Sequence, residues 1–355
     1  METHRFVKIW LFIGLVMLFV QVIVGGITRI TGSGLSITKW EIVTGTLPPM
    51  SEKAWDEEFN LYKDTPQYKE INEGMEMGSI FQSGSFKFIY FWEWVHRLWA
   101  RTMGFVFLFP LIYFLIKGWV QKPLLKRLGV VFLLAGLAAS FGWIMVASGL
   151  VERPWVNAYK LSLHLCIAFA VYSYLLWTYF LTKIPRSGLD NIVERSRFRK
   201  IALIFTYILW IQIFFGGIMS GMKAGVIFPT WPDMNGELIP QIVFNSEEWS
   251  VYNFNYYDRN LFMPALIHLI HRSLAYLLFF TGIYMVYKII KSRPKPVVNK
   301  GAFVLVTLLI IQVLLGILTV INCQGSIPLF YGVMHQAVAL CLLTASLYMN
   351  YRFQS

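Results

Sequence analysis

Hydrophobic positions along this chain fall in long uninterrupted runs rather than in helical or strand alternation. Eight runs reach about 20 residues, roughly 8–28, 90–116, 128–148, 160–182, 200–220, 261–287, 302–322 and 329–350. That is the length a helix needs to cross hydrocarbon, so the pattern predicts an all-α integral membrane protein with eight transmembrane helices. Composition agrees, with 57% hydrophobic and only 14% charged residues.

Charge then sets an expected orientation. The N-terminus, the connections after the second, fourth and sixth runs and the C-terminus together hold 18 of the 31 Lys and Arg, against three acids, Glu2, Asp190 and Glu194. The opposite side holds 10 basic and 15 acidic residues. Basic loops stay in the cytoplasm, so both termini are expected there. The net charge of +12 is therefore a topology signal. These charges are scattered over short loops such as Lys117–Arg127 and Lys288–Lys300, without the basic groove and stacking aromatics that nucleic acid requires.

Four histidines stand out against this background. His96, His164, His271 and His335 each fall within about two turns of the outer end of an even-numbered run. An imidazole inside a membrane is costly unless bonded, protonated for a purpose or ligating a metal. A bond to a neighbouring carbonyl or hydroxyl explains one such residue; four at one depth point to two pairs of axial haem ligands. All four then lie toward the outer leaflet.

The chain also repeats itself. At a constant offset of 191, Gln21, Gly25, Gly26, Ile27, Gly34, Trp40, Gly45, Leu47 and Pro49 match Gln212, Gly216, Gly217, Ile218, Gly225, Trp231, Gly236, Leu238 and Pro240. These are nine identities in 29 ungapped positions, weighted toward Gly, Trp and Pro. Glu93–Arg97 (EWVHR) answers to His268–Arg272 (HLIHR), and His164 to His335. The expected architecture is two pseudo-symmetric four-helix bundles, residues 1–183 and 200–355, joined by a cytoplasmic linker over 184–199, each bundle with one histidine pair.

The halves differ in chemistry. Glu93 precedes His96 by three residues and shares its helix face, while the matching position in the second half is His268. A carboxylate at this depth can accept a proton or stabilise positive charge beside a haem edge, and its bland alternative is an ion pair with Arg97 or Arg101. Arg97, Arg101 and Arg272 are the arginines deep in the runs and are candidates to hold haem propionates; snorkelling is the alternative for Arg101. His268 is a candidate propionate partner, with plain packing or a further iron-ligand role as alternatives. Cys166 and Cys341 read as small apolar residues, Cys323 stands alone outside, and no CxxCH run indicates covalent haem attachment.

Two outer features remain. Ser51–Gly78 is acidic and carries Trp55, Phe59 and Tyr62 at helical spacing, which predicts an amphipathic helix on the outer surface, with a solvated loop as the alternative. Ile30–Leu35 (ITGSGL) supplies glycine-permitted turns whose backbone groups can meet an anionic propionate.

Taken together, TRITGSGLSITKW (Thr28–Trp40), the following TGTLPP, WEWVHR (Trp92–Arg97), GWIMVASGL (Gly142–Leu150), YKLSLHL, AGVIFPTWPDMNGELIP (Ala224–Pro240), HR at 271–272 and MHQAVAL (Met334–Leu340) resemble the haem A synthase family in its alphaproteobacterial and mitochondrial branch, over nearly the whole length. The resemblance implies an eight-helix enzyme that oxidises the C8 methyl of haem O to the formyl group of haem A for cytochrome oxidase. It implies Glu93 as the catalytic glutamate, His96 and His164 flanking the substrate haem, and His271 and His335 ligating a haem b. Haem O synthase, cytochrome oxidase assembly factors and an unspecified electron acceptor are the implied partners, and a homo-oligomer is compatible. Two departures stand. No cysteine pair occurs in the first outer loop, which removes a thiol-assisted electron path, and His268 replaces the glutamine the family carries there. The rival classes are a non-enzymatic membrane cytochrome b and a haem transporter or chaperone. METHRFVK leads into the first run without an Arg- and Ser-rich leader, so a bacterial cytoplasmic membrane is the expected site.

Overall fold

The computed structural model describes residues 3–39, 46–151, 153–184, 192–292 and 294–354. Among the described residues, eight helices are long and apolar enough to cross a membrane: α1 (Arg5–Ile30), α4 (Phe86–Ile116), α5 (Lys122–Gly149), α6 (Ala158–Lys183), α7 (Ile192–Gly221), α10 (Phe262–Lys291), α11 (Pro296–Ile321) and α12 (Leu329–Arg352). Short helices α2 (Glu52–Lys63), α3 (Pro66–Glu70), α8 (Ala224–Ile227) and α9 (Val251–Asn255) lie in the connections. The chain is a multi-pass membrane protein.

Several spans run further than their apolar cores. α5 starts at Lys122, before Lys126 and Arg127, and α7 starts at Ile192, before Glu194, Arg195, Arg197 and Arg199. Hydropathy ends at the first charges, but Lys, Arg and Glu are good helix formers and the backbone ladder continues into water. The expected linker over 184–199 is accordingly shorter, since 192–199 are helical, while residues 185–191 lie outside the described residues, as do Trp40 and Gly45 of the repeat.

Four helices form the centre. α1 packs on α6 and α12, and α7 packs on α6 and α12, while α4, α5, α10 and α11 flank them. Burial follows: 44% of the most apolar stretch of α1 is buried, against 6% for α5, whose remaining surface faces lipid. Small residues bring the central helices together, as association in lipid requires. Gly26 of α1 lies against Gln336 of α12, whose Nε2 donates to the Val22 carbonyl at 2.9 Å. On the other side Gly217 and Gly221 of α7 lie on Ser162 and Ala158 of α6, and Arg29 at the end of α1 donates to the Ser220 and Gly221 carbonyls. A Cβ on Gly221 would come within 2.5 Å of the Ala158 backbone, which cannot swing aside. Gly221→Val is therefore expected to destabilise the protein by about 1–3 kcal/mol, checked by the thermal midpoint in detergent.

The connections fix the helix ends that carry the histidines. Asn157 caps α6 by accepting from Tyr159 N and Lys160 N, and Ala158 N donates to the Tyr257 hydroxyl at 2.9 Å. Ser85 caps α4. The amphipathic segment expected in 51–78 forms as α2 and α3, and its apolar face seats on the first turns of α4 instead of on a lipid surface. Trp55 packs on Tyr90, and Phe59 and Tyr62 pack on Phe86. Gln67 Nε2 donates to the Gly32 carbonyl at 3.0 Å, tying this cover to the turn after α1.

Candidate functional site

All four histidines sit six to ten residues inside their helices, at the same end of the molecule: His96 on α4, His164 on α6, His271 on α10 and His335 on α12. Each is half-buried and each faces a glycine of the preceding membrane helix. His96 faces Gly25 of α1, His164 Gly142 of α5, His271 Gly216 of α7 and His335 Gly316 of α11, where an added Cβ would approach the ring to 3.3, 3.1, 3.0 and 3.1 Å. Glycine lets the edge of the imidazole come close to the neighbouring helix backbone. Gly142 and Gly316 escaped the sequence reading. Their signal was present in QVIVG, AASFG, QIFFG and QVLLG, ending at Gly25, Gly142, Gly216 and Gly316.

The second pair bears directly on a haem. Two imidazoles bonded to one iron at about 2 Å each place their ring centroids roughly 6 Å apart. The centroids of His271 and His335 are 6.5 Å apart, and Nδ1 of His271 has no hydrogen-bond partner. His96 and His164 likewise lie within electrostatic range of each other. No cluster of three or more His, Cys, Asp or Glu suited to a metal ion occurs among the described residues, so the histidines are arranged as pairs. The donor set fits bis-histidine haem.

Glu93 is buried on α4. Its Oε2 accepts from Ser36 N at 2.7 Å, Ser36 Oγ at 2.8 Å and Ile37 N at 3.0 Å, while Oε1 meets Arg97 Nη2 at 2.5 Å. The two amides and the guanidinium can only donate, which suits a carboxylate that accepts on both oxygens, while the single hydrogen of Ser36 Oγ is shared between Glu93 Oε2 and the Ser33 carbonyl. Arg97 also donates to the Ile37 and Lys39 carbonyls. The ion pair that competed with a chemical role thus exists, and it clamps the turn after α1. Within that turn Gly32 N and Ser33 N donate to the Arg29 and Thr28 carbonyls, and Gly32 takes the positive φ of 70° that glycine permits. Those two amides are therefore spent inside the chain, not presented to an anion.

Arg272 repeats this arrangement in the second half. It donates to the Thr230, Pro232 and Asp233 carbonyls at 2.7–2.9 Å, pinning the turn at residues 230–233. His268 is buried with Nε2 3.4 Å from Arg272 Nη2, its ring beside Phe228 and its Nδ1 without a partner. Where Glu93 forms an ion pair, His268 supplies a neutral neighbour. Arg101 lies one turn beyond Arg97 on the same stripe of α4. The sequence pattern could not reveal that Arg97 and Arg272 hold loop carbonyls, because those carbonyls are main-chain groups from distant segments.

The thiols stand apart from this site. Cys166, Cys323 and Cys341 are free. Burial pushes the Cys323 thiol up, away from thiolate chemistry, and its Sγ donates to the Thr319 carbonyl.

Comparison with known proteins identifies the family. The family model described as cytochrome oxidase assembly protein matches residues 8–347. A protein named heme A synthase from Bradyrhizobium diazoefficiens is 36% identical over 358 residues, covering 100% of this chain and 93% of its own. The heme A synthase of Flavobacterium psychrophilum is 36% identical over 99% of both chains, and that of Nitrosospira multiformis 37% identical over 98% of this chain and 93% of its own. Matched from end to end at this identity, the chain belongs to the cytochrome oxidase assembly protein family that includes the heme A synthases.

Proposed function

We propose that this membrane protein is a haem A synthase that oxidises the C8 methyl of haem O to a formyl group, with the first bundle, residues 1–183, taking the substrate and the second, residues 200–355, holding a haem b. The observation that carries the assignment is the placement of a buried Glu93 one helical turn from His96, in the half where the two flanking helices make little contact with each other. α10 packs along α11, but the corresponding α4 and α5 barely touch. Such a gap suits lateral access of haem O with its farnesyl tail left in the bilayer.

The reaction balances as two rounds of two-electron oxidation. The methyl and one water give the hydroxymethyl, releasing two electrons and two protons. A second water gives the geminal diol, which loses water to the aldehyde. With His96 and His164 both on the substrate iron, oxidation at the porphyrin periphery needs no open iron position. Positive charge then develops at the ring edge, and the fixed carboxylate of Glu93 stabilises it electrostatically. Its Oε2 already accepts three hydrogen bonds, which favours this over proton abstraction. A haem b between His271 and His335 supplies one-electron relay. Arg97, Arg101, Arg272 and His268 surround the two sites as cofactor-binding residues, Arg97 and Arg272 by holding the covering turns.

The basic loops support a reading with both termini in the cytoplasm of a bacterium and both sites toward the outer leaflet of its cytoplasmic membrane. Haem O synthase, cytochrome oxidase assembly factors and an external electron acceptor are the partners this reaction requires. Expression in a host that makes haem O but not haem A tests the function. Haem A or its hydroxymethyl precursor beside haem b in the extracted pigment is the expected result; two haem b per chain with no modified porphyrin would favour an electron carrier.

A further inference from the structure

The four histidines do not receive equal support from the helices they face. One turn before each facing glycine, on the same face, stand Gln21, Ala138, Gln212 and Gln312. In the second bundle both glutamines reach the imidazoles. Gln212 Nε2 lies 3.3 Å from His271 Nε2, and Gln312 Nε2 lies 3.2 and 3.3 Å from Nδ1 and Nε2 of His335. Neither Oε1 has another partner. An amide in this position offers an acceptor as readily as a donor by turning its plane, so it can hold the N–H of an imidazole whose other nitrogen binds iron.

Neither ring of the first bundle has this contact. Gln21 Nε2 donates to the His96 carbonyl at 3.3 Å, and its Oε1, though without a partner like those of Gln212 and Gln312, makes no hydrogen bond to an imidazole. Ala138 has nothing to offer, and His164 Nδ1 has no hydrogen-bond partner.

We infer that Gln212 and Gln312 are positioning residues that clamp the second bundle's histidines and make its haem resident, while unclamped His96 and His164 form a ligation that admits and discharges a haem. The inference rests on the division of labour proposed above and gives it a physical cause. A substrate haem must leave as product, and a relay haem must stay. Partners that orient a ligating histidine are worth about 10–100-fold in metal affinity, enough to separate the two behaviours.

Haem release from the purified full-length holoprotein to apomyoglobin, followed at the Soret band, tests this. In the unaltered protein the first-bundle haem is expected to leave faster than the second. Gln212→Ala with Gln312→Ala is expected to speed release of the second-bundle haem about tenfold or more and to shift its low-spin EPR signal, without changing the first. Ala138 is only half-buried, so Ala138→Gln has room to supply the missing clamp and is expected to slow release from the first bundle about tenfold. Equal release rates in the unaltered protein, or unchanged rates in Ala138→Gln, would overturn the inference even if the double variant does not fold. Release is read whatever porphyrin is bound, so haem b in both bundles would contradict the function and not the clamp.

Discussion

Replacing Glu93 by glutamine is expected to lower haem A formation by about 100-fold or more while both haems stay bound. The magnitude is that of removing a preorganised charge from the place where opposite charge develops. Haem is retained because the four histidines and their facing glycines are untouched. The substitution separates electrostatics from scaffolding. Glutamine keeps an oxygen for Ser36 N and Ile37 N and loses the charge that balances Arg97, whereas Glu93→Ala removes the acceptor as well and leaves two buried amides and a guanidinium uncompensated. Glu93→Ala should therefore also lower the thermal midpoint, and Glu93→Gln should do so less. Turnover measured by haem extraction, beside thermal midpoints, checks both. Unimpaired product formation in Glu93→Gln would refute the electrostatic role, and parallel losses of stability and turnover in the two variants would make Glu93 a structural clamp only.

A second large effect is expected at the glycines behind the histidines. Gly316→Val sets a branched side chain where even a Cβ would lie 3.1 Å from the His335 ring, and Gly142→Val does the same at His164. The imidazole must rotate or the helices must part, and either breaks axial ligation. Gly316→Val is expected to lose most of the second-bundle haem and keep the first; Gly142→Val is expected to do the reverse. Pyridine haemochrome spectra of the purified variants read this directly. Full occupancy of both sites in both variants would show that the glycines are spacers of no consequence to the haems.

The spans and their number were legible because lipid imposes a strong rule on sequence: every stretch of hydrocarbon depth must be apolar, and each exception must have a reason. Helix ends were less legible. Lys122–Arg127 and Glu194–Arg199 end the hydropathy signal and not the helix. Pairwise contacts were hardest to foresee. Gly25 and Gly216 appeared as repeat identities, yet only helix packing shows that they face His96 and His271. The same holds for Arg97 and Arg272, whose guanidiniums meet main-chain carbonyls that carry no sequence signature. The gap between α4 and α5 could not be read, since helices facing lipid and helices facing one another are equally apolar.

The account stands on the two bundles holding different haems, and the most direct measurement is the haem content of two paired variants in a host that supplies haem O. His271→Ala with His335→Ala is predicted to lose haem b alone and to retain haem O or its oxidised products. His96→Ala with His164→Ala is predicted to retain haem b and contain no haem A. Loss of the same haem from both variants, or haem b in the bundle of His96 and His164, would contradict the account.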